Sequence, residues 1–85
     1  MPVNHPPLNL YTQYCYSVQI SGILGPDSYD ELGETWQVSV LNNGNSPYSI
    51  LIGQKIDQAA LVGLLKYIYF RGYPLISVNL TPSIT

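Results

Sequence analysis

Few side chains in this sequence are equipped for covalent or metal chemistry. It holds one cysteine and one histidine, Cys15 and His5. A thiolate–imidazole pair is the nucleophile those two types can make. Cys15 stands between two tyrosines in an alternating run, with no basic neighbour to lower its pKa, so it reads as an ordinary strand cysteine. A single cysteine excludes a disulfide within the chain. Two soft ligands also fall short of the four that a structural zinc site uses.

Pro2 would become the terminal residue on removal of Met1, and a proline amine can act as a base when a pocket lowers its pKa. Pro6 and Pro7 follow closely, and the reading is a loose arm instead. Asp27, Asp30, Glu31 and Glu34 fall at i, i+3, i+4 and i+7, one face of a helix if one forms. Oxygen ligands of that kind suit a hard cation. The spacing and glycine of a calcium loop are missing, so a solvated acidic segment is expected, pairing at most with Lys66 or Arg71 of a neighbouring molecule. Asn79-Leu80-Thr81 matches a glycosylation sequon but falls in a predicted strand. The sequence shows no glycine-rich phosphate loop, no Ser-His-Asp set and no metal-ligand cluster. No catalytic residue, cofactor or metal is therefore assigned.

What remains is binding chemistry. Tyr67, Tyr69, Phe70 and Tyr73 surround the end of a predicted helix. Aromatic side chains bury large areas while keeping a polar tip, which suits interfaces. Tyr67, Phe70 and Arg71 lie off the helix's apolar stripe. With Tyr73 they are the interface candidates.

Composition narrows the partners. Only 9% of residues are charged, against about 25% in ordinary domains. Lys55, Lys66 and Arg71 are the three basic residues, and the net charge is −2. A nucleic-acid binder gathers Lys and Arg on one face, and that footprint is absent. An anionic membrane surface is disfavoured for the same reason. No apolar run approaches the ~20 residues of a membrane span, and no basic-then-apolar leader opens the chain. A cytoplasmic location is expected. A weakly charged, tyrosine-rich surface favours self-association, so a second copy of the chain is the expected partner.

The elements that must position these residues follow from periodicity. Residues 1–10 read as a flexible proline-rich arm, 11–82 as one domain, and 83–85 as a tail. Tyr14 to Ile20 alternates as a half-buried strand. Gly22, Gly25 and Pro26 break it. Ser28 or Asp27 is placed to cap one or two helical turns ending near Gly33. Thr35 to Leu41 alternates with Trp36, Val38 and Val40 on one face. Asn42-Asn43-Gly44-Asn45-Ser46 is a turn, and Tyr48 to Ile52 resumes with Tyr48, Ile50 and Ile52 inward. A helix over 58–71 takes Asp57 as N-cap, buries Ala60, Leu61, Leu64, Leu65 and Ile68, and ends at Gly72. Leu75 to Leu80 is the last strand, with Ile76, Val78 and Leu80 inward.

The expected fold is α+β: a four-stranded, mostly antiparallel sheet with one main helix on one face. It is a reduced ferredoxin-like β-(short α)-β-β-α-β arrangement. A right-handed crossover makes the last strand parallel to the run at 48–52, with room for another strand between. One helix cannot cover four strands. The uncovered face, expected to carry Ser17, Gln19, Thr35, Gln37, Ser39, Ser49, Leu51, Ser77 and Asn79, is polar without charge.

Asp57-Gln58-Ala59-Ala60-Leu61-Val62-Gly63-Leu64-Leu65, followed by Arg71-Gly72-Tyr73-Pro74-Leu75-Ile76-Ser77-Val78, resembles the C-terminal signature of a group of small uncharacterised bacterial proteins. The likeness covers residues about 35–80. It implies a fold and a helix-capping scheme, and no functional residues.

Three functional expectations result. The first is a non-enzymatic homodimeric interaction module, joined by sheet edges or by the aromatic helix end. The second is a small-molecule-binding regulatory module of the ACT-like kind, with its ligand near the uncharged sheet face. The third is a cofactor-free enzyme of tautomerase type using Pro2.

Overall fold

A computed structural model describes residues 12–42, 44 and 46–82. The expected 1–10 arm and 83–85 tail lie outside them. Four strands and two helices follow in the order β1 (Tyr14–Ser21), α1 (Pro26–Leu32), β2 (Gln37–Leu41), β3 (Tyr48–Ile56), α2 (Gln58–Arg71) and β4 (Leu75–Pro82). They build one sheet in the order β2-β3-β1-β4, antiparallel at every pairing. β1 therefore lies between β3 and β4, which run parallel to each other, as expected, because each is antiparallel to β1. The fold is the expected α+β one, compatible with the split βαβ arrangement.

α2 forms for local reasons. The Asp57 carboxylate accepts from the Ala60 amide at 2.8 Å, satisfying one of the first-turn donors that a helix leaves open. Gly72 ends the helix at φ 81°, its amide donating to the Ile68 and Tyr69 carbonyls; only glycine takes that conformation without strain. Leu64 and Ile68 are buried, with Ala60, Leu61 and Leu65 packed around them, as the stripe predicts.

α1 departs from expectation at its start. Gly25 is the N-cap, with no side-chain bond, and Pro26 takes the first turn, where its missing N–H costs nothing. Ser28 does not cap. It is buried, and its hydroxyl meets the Tyr67 hydroxyl at 2.9 Å. Leu32 is buried beside it. Seven residues are too few for an independent helix, so docking against α2 is what holds α1.

Pairing register sorts the side chains. Val38, Leu51, Val18 and Val78 form one row across the four strands, and Val40, Ser49, Ile20 and Leu75 the next. These rows carry the core and face the helices. The assignment of β3 is thus the reverse of the expected one. Leu51 and Ser49 point inward with no solvent exposure, whereas Tyr48, Ile50 and Ile52 occupy the other face. Ser49 tolerates burial because its hydroxyl donates to the Gly22 carbonyl at 2.8 Å and accepts from the Leu24 amide at 3.3 Å. Two loop groups that would otherwise be orphaned are satisfied with it. Thr35 precedes β2 in a turn and is not on the sheet.

Candidate functional site: the uncovered fourth strand

The helices leave most of β4 uncovered. Along the row Leu51–Val18–Val78, exposure is 0%, 0% and 38%. The neighbouring rows end the same way: Leu80, opposite buried Tyr16, is 41% exposed, and Leu75, opposite buried Ile20, is 52% exposed. Val78 and Leu80 therefore face the helix side as expected, but among the described residues they are only partly covered. Ile76, expected inward, is 52% exposed beside the irregular pairing at Gln19/Ile20. Sheet cover ends at β1 because α1 docks on the other flank of α2, through Ser28–Tyr67 and Arg71–Glu31.

α2 borders this strip with an apolar flank. Val62, Leu65 and Tyr69 fall at i, i+3 and i+7, one row of a helix. Leu65, Ile68, Tyr69, Tyr73, Pro74 and Leu75 line a groove of about 360 Å³ where the helix end meets the start of β4. No charged residue and no nucleophile lies in it. Its chemistry is that of apolar contact, and along the free edge of β4, of backbone hydrogen bonding.

Three of the four interface candidates are occupied within the chain. Tyr67 meets Ser28, and the Arg71 guanidinium sits 4.9 Å from the Tyr67 ring centroid. Arg71 also donates to Glu31 at 3.3 Å, so this acid has its cation in its own molecule instead of a neighbour. The Tyr73 hydroxyl donates to the Ile23 carbonyl at 3.2 Å. Phe70 stands apart: it is 80% exposed and meets Tyr69 edge-on, with ring centroids 5.6 Å apart.

The remaining candidates are not brought together. Pro2 and His5 lie outside the described residues, so the proline-base and thiolate–imidazole readings gain no geometry. Cys15 is half-buried on β1, on the face away from the helices. Among the described residues, no group of three or more His, Cys, Asp or Glu side chains is arranged to hold a metal. The buried Tyr16 phenol is held above its ordinary pKa of 10.0, first by burial, then by Tyr14 and Asp57. Among the described residues no helix is long and apolar enough to cross a membrane. The open strip of β4 was the residue set that periodicity alone missed. Its signal was the mismatch between four strands and one long helix.

Among the described residues, the fold and this strip define a small α+β domain with an open, uncharged sheet edge. The chain belongs to the family described as a domain of unknown function (DUF8691), whose model matches residues 15–79. That span runs from β1 to β4 and takes in both helices. No curated protein and no solved structure matches the chain.

Proposed function

We propose that this domain is a non-enzymatic interaction module that works as a homodimer, two copies joining edge to edge along β4. The observation that carries the reading is the exposed apolar series Leu75, Ile76, Val78 and Leu80 on the outermost strand. Proteins that must keep a sheet edge unpaired shorten it, charge it or cover it. β2, at the opposite edge, has five residues. β4 has eight, none charged, in Leu-Ile-Ser-Val-Asn-Leu-Thr-Pro. A two-fold pairing of β4 with its mate supplies the missing backbone partners and continues the sheet to eight strands. Both α2 helices then lie on one side, and Val78, Leu80 and Tyr69 of each copy fill the trough between them.

Light scattering across a concentration series tests this. The expected mass is two copies of the 9.4 kDa chain, or a multiple of two. Val78→Arg should give monomers with an unchanged far-UV spectrum. A wild-type chain that stays monomeric at high concentration sinks the proposal.

A second reading has one observation in its favour. The groove beside Tyr69 and Tyr73, at about 360 Å³, falls in the ~300–1,000 Å³ range of small-molecule sites. Its lining suits a neutral, apolar ligand of the kind an ACT-like module would sense. Such a ligand would raise the melting temperature by mass action. A panel of neutral aromatic and aliphatic compounds that leaves the melting temperature unmoved would remove this alternative.

A further inference from the structure

The face of the sheet away from the helices has a composition that a wet surface does not need. Register places Gln37, Ile52, Ser17 and Asn79 in one row across the strands. Ser39, Ile50, Gln19 and Ser77 form the next, and Leu41, Tyr48 and Ser21 a third. None of these positions is charged. Charge begins only at one end of the face. There Glu34 shares a shallow depression with Gln37, Ile52 and Gln54, and Lys55 occupies the irregular end of β3 at φ 55°. The solvated face of a sheet is ordinarily polar, and Lys, Glu, Arg and Asp are among the side chains most often left exposed. Here the centre is Ile50 and Ile52, ringed by hydroxyls and amides.

We infer that this face is a second self-association surface, and that two edge-joined dimers stack through it, back to back, into a tetramer. The inference rests on the β4 pairing proposed above. A second copy is the occupant for an electrostatic reason. A two-fold contact sets residue i of one copy against residue j of the other, so a face with no charge at any of these positions meets its own copy without a like-charge contact and without an unpaired ion. Ser, Gln and Asn can pair across the contact with no ion to desolvate. Sheets stacked face to face in this way interdigitate their side chains about 10 Å apart.

Area decides the order of assembly. Four strands at ~4.8 Å spacing and five to eight residues at ~3.4 Å rise give a footprint of roughly 400 Å² in projection. That is about half the ~800 Å² each partner contributes to a standard interface, and somewhat more once the relief of side chains is counted. One such contact is weak. Two of them, held together by a preformed edge dimer, reinforce each other through effective concentration. The tetramer therefore needs the edge dimer, and the edge dimer does not need the tetramer.

The test is solution mass by light scattering on the full chain and three variants, with circular dichroism as the check of folding. The wild type should be a tetramer at high concentration and fall to half that mass on dilution. Ile50→Lys should stay at the dimer mass throughout, and Ser39→Glu, at an exposed position in the same row, should do the same if Ile50→Lys misfolds. Val78→Arg should fall directly to the monomer. A wild type that never exceeds the dimer mass, or a tetramer unchanged by both face variants, overturns the inference. A dimer that Val78→Arg alone splits leaves the edge pairing standing without the stack. A mass that Ile50→Lys halves and Val78→Arg leaves unchanged overturns the edge pairing instead.

Discussion

The Ser49 hydroxyl donates to the Gly22 carbonyl oxygen at 2.8 Å from a position with no solvent exposure. It also receives the Leu24 amide at 3.3 Å. One side chain thus ties the start of β3 to the loop between β1 and α1. Ser49→Ala leaves a part-buried carbonyl and a buried amide without this partner, which costs about 1–3 kcal/mol. Urea denaturation should show a lower midpoint with an unchanged slope. A midpoint within error of wild type would mean the loop finds other partners.

Two glycines should respond to alanine in opposite directions. A Cβ at Gly53 would come within 2.7 Å of Ile56 and 2.8 Å of Trp36. Ile56 and Trp36 are core residues, so overpacking should cost about 1–3 kcal/mol. A Cβ at Gly63 meets nothing within 4 Å. In the middle of α2, Gly63→Ala should stabilise the fold by about 0.5–1 kcal/mol through chain entropy. Thermal melts of the pair check both signs at once.

Stability should decline in strong alkali, and Tyr16 sets part of the slope. Its folded-state pKa is raised above the ordinary 10.0, so between the unfolded and folded values the native state holds the proton more firmly. The contribution is complete below about pH 10 and is lost as pH rises through the folded value. Tyr16→Phe should flatten the alkaline limb of a stability-versus-pH curve above pH 10 while leaving the limb near neutrality in place. An unchanged alkaline slope would assign that loss to other groups.

Sequence pattern and structure agree where the physics is local. The Asp57 cap, the α2 stripe and the Gly72 stop each depend on residues within one or two turns, and each was legible. The turn at 42–46 was also legible as a hairpin link: Gly44 takes φ 95° and its amide donates to Asn42 Oδ1 at 3.0 Å, while residues 43 and 45 lie outside those described. β3 was not legible in its facing. Tyr48-Ser49-Ile50-Leu51-Ile52 is apolar on both sides apart from one serine, and that serine is buried by partners more than 20 positions away. Which way a nearly uniform strand faces is decided by what else the fold offers, not by alternation.

The candidate site divides in the same way. The aromatic helix end was visible as a cluster, but not that Tyr67, Arg71 and Tyr73 hold α1 and its approach loop to α2. Those contacts span 39, 40 and 50 positions. Exposure of Val78 and Leu80 depends on strand order, which places β4 outside the helix cover. Periodicity marks them as apolar and inward, and does not show how little of the described fold covers them.

The central position of β1 has a consequence for how the molecule comes into being. Of the described strands β1 is the earliest in sequence, yet both its neighbours come later, and β4 follows all the other described elements. A chain emerging from a ribosome at about 5–20 residues per second therefore holds its most buried strand unpaired for several seconds. The hairpin of β2 and β3 and the helix can form in that interval, because their contacts are close in sequence. The sheet closes only when β4 arrives. Until then, Tyr14–Ser21 has only β3 to pair with, and its other edge stays open.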